Sequence, residues 1–273
     1  MWQRGIALIG LSVVAASGVQ LPALSQSSDF KADIYILAGQ SNMSGRGALG
    51  LEIPPELSPD PNILVYGNDG QSRVAAEPLD RADNQIDAIS IDTQAGVGPG
   101  LVFAKALRQA NPKRKIILVP CAKGGSFMAQ WRPHTAQATL YGSCLARVRE
   151  VQGQGRLAGI LWYQGESDAR DILNAQLWPQ RFSHLINQFR SDLNAKALHV
   201  LLIGLGDQPQ VGRYADQFPH WKLVQDAQSN FVMSNVRYVS AAGLPKLDDD
   251  LHLSTQGQIE LGQNAANVWL RER

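Results

Sequence analysis

An α/β fold, with a parallel sheet and helices on both faces, is what this sequence predicts. Three observations lead there. Apolar, β-branched runs such as "KIILVP" at residues 115–120 recur along the chain, and segments of helical period separate them. The runs are apolar nearly throughout rather than alternating, as strands buried on both sides are. No internal repeat competes with that reading. An open sheet of this kind binds ligands beyond the carboxyl ends of its strands. The residues that follow each strand are therefore where chemistry is expected.

Taken in order, residues 1–25 read as a signal peptide: Arg4 at the start, an apolar middle, and the small-residue exit Ala23-Leu24-Ser25. Ser12, Ser17, Gln20 and Pro22 make the same stretch a poor spanning helix. One domain is expected over residues 26–273. Residues 32–38 read as its first strand. Residues 49–92, rich in Pro, Asp, Asn and Gly, read as an excursion carrying a loop or short strands over one face. Residues 99–110 read as a helix closed by Asn111-Pro112, and residues 115–120 as a second strand. A helix over residues 139–152 leads to a third strand at residues 157–163. Residues 176–194 read as a helix, because Phe182, Leu185, Ile186, Phe189 and Leu193 fall on one face. Residues 199–205 and 236–240 read as the fourth and fifth strands, and residues 256–271 as a closing helix.

Composition narrows the function. The chain has 273 residues, 44% hydrophobic and 18% charged, with a formal net charge of +1. That is ordinary for one large α/β domain. It lacks the basic footprint of a nucleic-acid binder, and no charge block marks a polybasic membrane patch. After loss of the signal segment no membrane association is expected, and the chain is exported, to the periplasm or the medium. Cys121 and Cys144 are the only cysteines. An exported pair can form a disulfide, but Cα geometry decides, so the pairing stays open.

The strand ends hold a consistent set of groups. Gly39-Gln40-Ser41-Asn42 follows the first strand, Cys121-Ala122-Lys123-Gly124-Gly125-Ser126 the second, and Gln164-Gly165-Glu166-Ser167-Asp168 the third. Asp248-Asp249-Asp250-Leu251-His252 lies before the closing helix. An alcohol, glycine N–H donors, an amide, a carboxylate and an imidazole are the inventory for acyl transfer by a serine nucleophile. The alcohol needs a base to take its proton, and the base needs a carboxylate to fix its tautomer. Ser41, just past a buried strand and flanked by Gly39 and Gly45, is the candidate nucleophile. Glu166 and Asp168 could serve as an acid/base pair or as metal ligands; organisation of their loop is the reading preferred. The three consecutive aspartates lack the rest of a calcium loop.

Elimination among five histidines selects the base. His184 lies off the apolar face of its helix, and His199 begins a strand at the wrong end of the sheet. His134 and His220 are loop residues beside proline and tryptophan, suited to a groove or to solvent. His252 has Asp249 three residues before it, a spacing that lets both side chains come from one short loop.

The segments "YILAGQSNMSGRG", "VGPGLVFAKAL", "KGGSFMAQW", "GILWYQGESDA" and "DDDLHLSTQGQ" together resemble the SGNH (GDSL-like) hydrolase superfamily. More narrowly they resemble the branch that contains sialate O-acetylesterases and the acetylxylan esterases of carbohydrate esterase family 6. They run in the family's order across residues 34–258. The resemblance implies a three-layer α/β/α sandwich close to flavodoxin, with Ser41 as nucleophile, His252 as base and Asp249 as the acid. It implies an oxyanion hole from the Ser41 N–H, a glycine N–H at Gly124 or, preferably, Gly125, and the Gln164 side chain. Gln40, Asn42, Gly124, Trp131 and Glu166 are candidates for substrate binding or site organisation, with Trp131 expected to line a groove and Trp162 to be core. The implied reaction needs no metal or other cofactor. Its substrate would be an O-acetylated glycan such as sialic acid or xylan. An esterase for another acyl group, or a carbohydrate-binding protein without activity, are the rival readings.

Overall fold

The computed structural model describes residues 1, 32–79 and 94–271. The proposed signal segment lies outside them, as does much of the later part of the 49–92 excursion. β1 (Ala32–Gly39) is buried along its whole length and sits at the centre of the sheet. It pairs in parallel with β4 (Ile116–Pro120) on one side and β5 (Gly155–Tyr163) on the other. The chain order reverses there, which makes the carboxyl end of β1 a topological switch point. Beyond β5 lie β6 (His199–Gly204) and β7 (Val236–Ser240), also parallel.

The described part of the excursion supplies the other edge of the sheet. β2 (Ile63–Tyr66) pairs in parallel with β4, and β3 (Ser72–Val74) pairs antiparallel with β2. The sheet therefore has seven strands in the order β3-β2-β4-β1-β5-β6-β7, not the five legible in sequence. The two extra strands have four and three residues, too short for an apolar period to register.

Helices cover both faces. α1 (Ser41–Ser44) is a single turn at the end of β1. α2 (Gly100–Ala110) and α6 (Thr255–Leu270) pack together on one face, where Tyr35, Phe103 and Trp269 meet edge to face at 5.2–5.9 Å. On the other face lie α3 (Leu140–Gln152), α4 (Ile172–Asp192) and α5 (Trp221–Ser229), with Trp162 against Trp131 and Phe182. α4 starts four residues before the expected position. Asp171 caps it by accepting the Asn174 N–H at 2.9 Å, and Pro179 is carried inside the helix at the loss of one backbone bond.

Cys121 and Cys144 form a disulfide with a Cα separation of 5.3 Å. It ties the loop after β4 to α3. Buried Arg147 adds a second tie, from α3 to the Pro120 carbonyl at the end of β4. Among the described residues no helix is long and apolar enough to cross a membrane, and no cluster of three or more His, Cys, Asp or Glu could hold a metal ion.

Candidate active site

The sharp turn after β1 exists because Gly39 permits it. Its φ is +136°, and a Cβ there would stand 2.0 Å from the Tyr163 carbonyl oxygen. The chain passes directly into α1, which leaves the Ser41 N–H at the helix start without an intrahelical partner. Arg46 holds this turn from behind, donating to the carbonyls of Gly45 at 2.7 Å and Ser41 at 3.4 Å.

The structure brings Ser41, His252 and Asp249 into one hydrogen-bonded chain. Ser41 Oγ lies 2.9 Å from His252 Nε2, and His252 Nδ1 lies 2.6 Å from Asp249 Oδ2. Asp249 Oδ1 accepts the N–H groups of Leu251 at 3.1 Å and His252 at 2.9 Å. The loop thus folds around its own aspartate. Asp250 faces the other way, at φ +57°, and accepts the N–H groups of Gln210 and Val211 while pairing with Lys246. The three-residue spacing therefore selects the aspartate that reaches the ring.

The electrostatics suit a neutral base. Burial pushes the His252 pKa down, Asp249 opposes that, and the cations Arg46 and Arg213 add to the lowering; the sum lies below the ordinary imidazole value. Burial alone would raise Asp249, but the backbone N–H and ring of His252 together with the Leu251 N–H outweigh it and keep the carboxylate below its usual range. Arg213 Nη2 stands 3.7 Å from the Asp249 oxygen that takes the ring.

A cavity of about 280 Å³ opens over Ser41 and His252. Gln40, Gly124, Gly125, Glu166, Tyr214 and Phe218 help to line it, and Arg46, Lys123 and Arg170 bring three cations. Gly125 adopts φ +71°, which favours glycine although a Cβ would have room, and its N–H has no partner among the described residues. Arg46 sits within the "GQSNMSGRG" segment and was open to recognition there. Arg170, Tyr214 and Phe218 carry no local signal, because only the folding of distant loops brings them to the cavity.

Two expectations are corrected. Gln164 does not reach the cavity. It is fully buried, and its Nε2 faces Asp168 Oδ2 at 2.5 Å, the Ser126 carbonyl at 3.1 Å and Gln40 Oε1 at 3.3 Å, while its Oε1 accepts the Trp178 indole N–H. An amide with two hydrogens and three acceptors has none left for a substrate. Gln40, itself buried, takes the position on the cavity wall instead. Its Oε1 is held by Gln164, the Gly165 N–H and the Ser167 N–H. Its Nε2 has no partner among the described residues, and the side chain lines the cavity.

Trp131 is the second correction: it is fully buried and does not line the Ser41 cavity. Asp168 accepts the Met128 N–H and so pulls the turn Met128–Trp131 against the loop after β5. That carries Trp131 inward, edge-on to Trp162 at 5.1 Å, with its N–H on Ser126 Oγ. Trp162 is core, as expected.

Asn42 and Glu166 organise the site. Asn42 Nδ2 donates to Glu166 Oε1 at 2.9 Å and to the Leu251 carbonyl at 3.3 Å, and its Oδ1 accepts the Leu253 N–H at 2.9 Å. The residue after the serine thus straps down the loop that carries the imidazole. Burial pushes Glu166 up to about 7 against the Asn42 bond, and pushes Asp168 up to about 6 against the Gln164 bond.

Comparison with known proteins points the same way. Residues 31–271 match the family described as carbohydrate esterase, sialic acid-specific acetylesterase. An Arabidopsis thaliana protein named a probable carbohydrate esterase is 36% identical over 253 residues, 87% of this chain and 90% of that one. Its X-ray structure aligns with a TM-score of 0.77 at 33% identity, covering 89% of this chain and 99% of the other. An Escherichia coli K12 protein named a probable 9-O-acetyl-N-acetylneuraminic acid deacetylase is 26% identical over 250 residues, 76% of each chain. The crystal structure of NanS shares the fold, with a TM-score of 0.64 at 20% identity over 89% of this chain and 99% of that one.

Proposed function

The chain belongs to the carbohydrate esterase, sialic acid-specific acetylesterase family, and from that premise we propose that it removes O-acetyl groups from an extracytoplasmic carbohydrate through an acetyl-enzyme on Ser41. The observation that carries the proposal is the Ser41–His252–Asp249 chain at 2.9 and 2.6 Å, open to a small polar cavity. His252, kept neutral by burial and by nearby cations, takes the Ser41 proton as Oγ attacks the acetyl carbonyl. Asp249 holds the Nδ1–H tautomer and stabilises the imidazolium that forms. The developing oxyanion meets the N–H groups of Ser41 and Gly125 and, in place of Gln164, the Gln40 Nε2. His252 then gives its proton to the departing sugar oxygen. Water enters, the same imidazole activates it, and acetate leaves with Ser41 restored.

The cavity favours a short acyl group. At about 280 Å³ with mostly polar walls it offers no apolar channel for a long chain. That argues for acetyl over the lipase-like reading. Arg46, Lys123 and Arg170 on its walls favour an acidic sugar such as sialic acid over neutral xylan. The name of the Escherichia coli relative agrees. The acetylxylan esterase branch is the second reading, kept for its match in the "GQSNM" and "WYQGESD" segments. Export to an oxidising compartment is supported by the composition of residues 1–25 and by the Cys121–Cys144 bond.

Acetate release from O-acetylated sialic acid, acetylated xylan and 4-nitrophenyl acetate, with wild type and Ser41→Ala side by side, tests all of this. Release from sialic acid that falls at least about a thousandfold in the variant is expected. Turnover retained by Ser41→Ala removes the nucleophile. Release from xylan alone moves the chain to the second reading.

A further inference from the structure

The Ser41 cavity does not end at its own wall. Lys123 lines it and also lines a neighbouring hollow of about 490 Å³. That hollow shares Ala129 and Arg132 with a further one of about 410 Å³. The cavity and the two hollows thus follow one another through shared wall residues, past Lys123 and along the segment between the Met128–Trp131 turn and α3, and the two hollows form the trough considered below.

This segment is firmly built. Buried Trp131 anchors one end. At the other, Thr139 Oγ1 bonds the carbonyls of His134 at 2.7 Å and Ala136 at 2.8 Å and accepts the Gly142 N–H at 3.0 Å. Gly142 lets the segment lie close on α3, since a Cβ would stand 2.1 Å from the Ala136 carbonyl oxygen. The Ala136 N–H donates to His134 Nδ1 at 3.2 Å, which leaves Nε2 as the ring's own N–H donor. Gln130, Arg132 and His134 are exposed along the trough, and among the described residues no aspartate or glutamate lines either hollow.

We propose that this trough is a subsite for the glycan beyond the acetylated sugar, and that it takes a neighbouring sugar unit bearing a carboxylate. The inference rests on the carbohydrate reading of the Ser41 site. Arg132 offers a planar pair of donors that match a carboxylate, and Lys123 adds charge where the hollow meets the cavity. The His134 Nε2–H and the Gln130 amide suit ring hydroxyls. Described walls that hold cations and no carboxylate repel nothing in an acidic sugar, whereas a neutral one can form no ion pair with them.

Calorimetry with unacetylated trimers tests the subsite apart from the reaction. The probes are α2,8-linked trisialic acid and trigalacturonic acid, with xylotriose as the neutral control. They are titrated into wild type and into the Arg132→Ala/His134→Ala double variant. An acidic trimer is expected to bind about tenfold more weakly to the variant, roughly the worth of one charge-assisted hydrogen bond. Hydrolysis of 4-nitrophenyl acetate should be unchanged, which shows that the variant is folded. No heat from either acidic trimer, equal affinity in both proteins, or equal affinity for xylotriose overturns the proposal. Variant-sensitive binding with no acetate release from any O-acetylated sugar leaves the subsite standing and removes the esterase substrate instead.

Discussion

The two sides of the Ser41 cavity are held in different ways. On the nucleophile side, Gln40, Gln164, Asp168, Ser126 and Gln228 form a buried web across the ends of β1, β4, β5 and β6. Gln40 Oε1 alone takes three donors. On the acid–base side, Asp249 and His252 ride on a loop outside the sheet. Besides its own turns, that loop is held by Asn42, which bonds Leu251 and Leu253, and by the Gln210 and Val211 N–H groups on Asp250. The difference matches the work that the proposed mechanism requires. Groups aimed at a transient oxyanion act through being fixed in advance, whereas an imidazole that first takes and then gives a proton must serve two partners in turn.

Gln40→Leu should have the largest effect of the variants that probe this contrast. Loss of one preorganised donor lowers kcat by about a hundred- to a thousandfold. Gln164→Leu serves as its counterpart: it should unfold at lower temperature by leaving buried donors and acceptors unpaired. If Gln164→Leu folded normally and lost kcat while Gln40→Leu kept it, the two amides would exchange roles. Steady-state kinetics beside thermal denaturation decides.

The disulfide comes next. It closes a loop between residues 23 apart and pins the strand end that carries Gly125. Cys121→Ser/Cys144→Ser should destabilise the fold by about 3 kcal/mol in urea titration. A midpoint equal to that of wild type would show that the Arg147 tie suffices there.

Asn42→Ala sharpens the other half. Freeing the loop from its strap misplaces the imidazole by a fraction of an ångström. A fall in kcat of about ten- to a hundredfold, with KM little changed, is expected. A large loss of stability without that kcat effect would place Asn42 on the rigid side of the comparison.

The smallest effect concerns proton affinity. With His252 held below the ordinary imidazole value, the base stays neutral into mildly acidic solution, and the acid limb of kcat/KM lies below about pH 6.5. Arg213→Gln removes one cation that disfavours the imidazolium, so the limb should move to higher pH. Because Arg213 is largely exposed, the move should be well under one pH unit and should shrink in salt. A shift to lower pH would mean that Arg213 acts mainly through Asp249.

Much of this was legible from contiguous residues. Apolar runs announce β1, β4, β5, β6 and β7; the first four are buried over most of their length, so their pattern needs no partner to be read, while in β7 only Val239 is buried. Asp249 and His252 were legible because a three-residue spacing brings acid and imidazole together within one turn. β2 and β3 were not, being short strands that gain their structure from pairing, β2 with β4 and β3 with β2. α5 was passed over as well, its nine residues giving too short a period.

Side-chain direction lay beyond the sequence for the opposite reason. "WYQGESD" announces an amide near the site, but whether Gln164 or Gln40 faces the cavity depends on Asp168 at the end of that segment and on Ser126 and Trp178, which come from two others. Trp131 turns inward because Asp168, forty residues on, captures the Met128 N–H. The pairing of Cys121 with Cys144 needed a Cα separation that only the packing of α3 on β4 sets. Sequence by itself determined the order of strands and helices and the groups waiting at the strand ends, since period and short spacing are local properties of the chain. Which of those groups reach the cavity was decided by tertiary structure, since a buried polar atom turns toward whichever partner satisfies it.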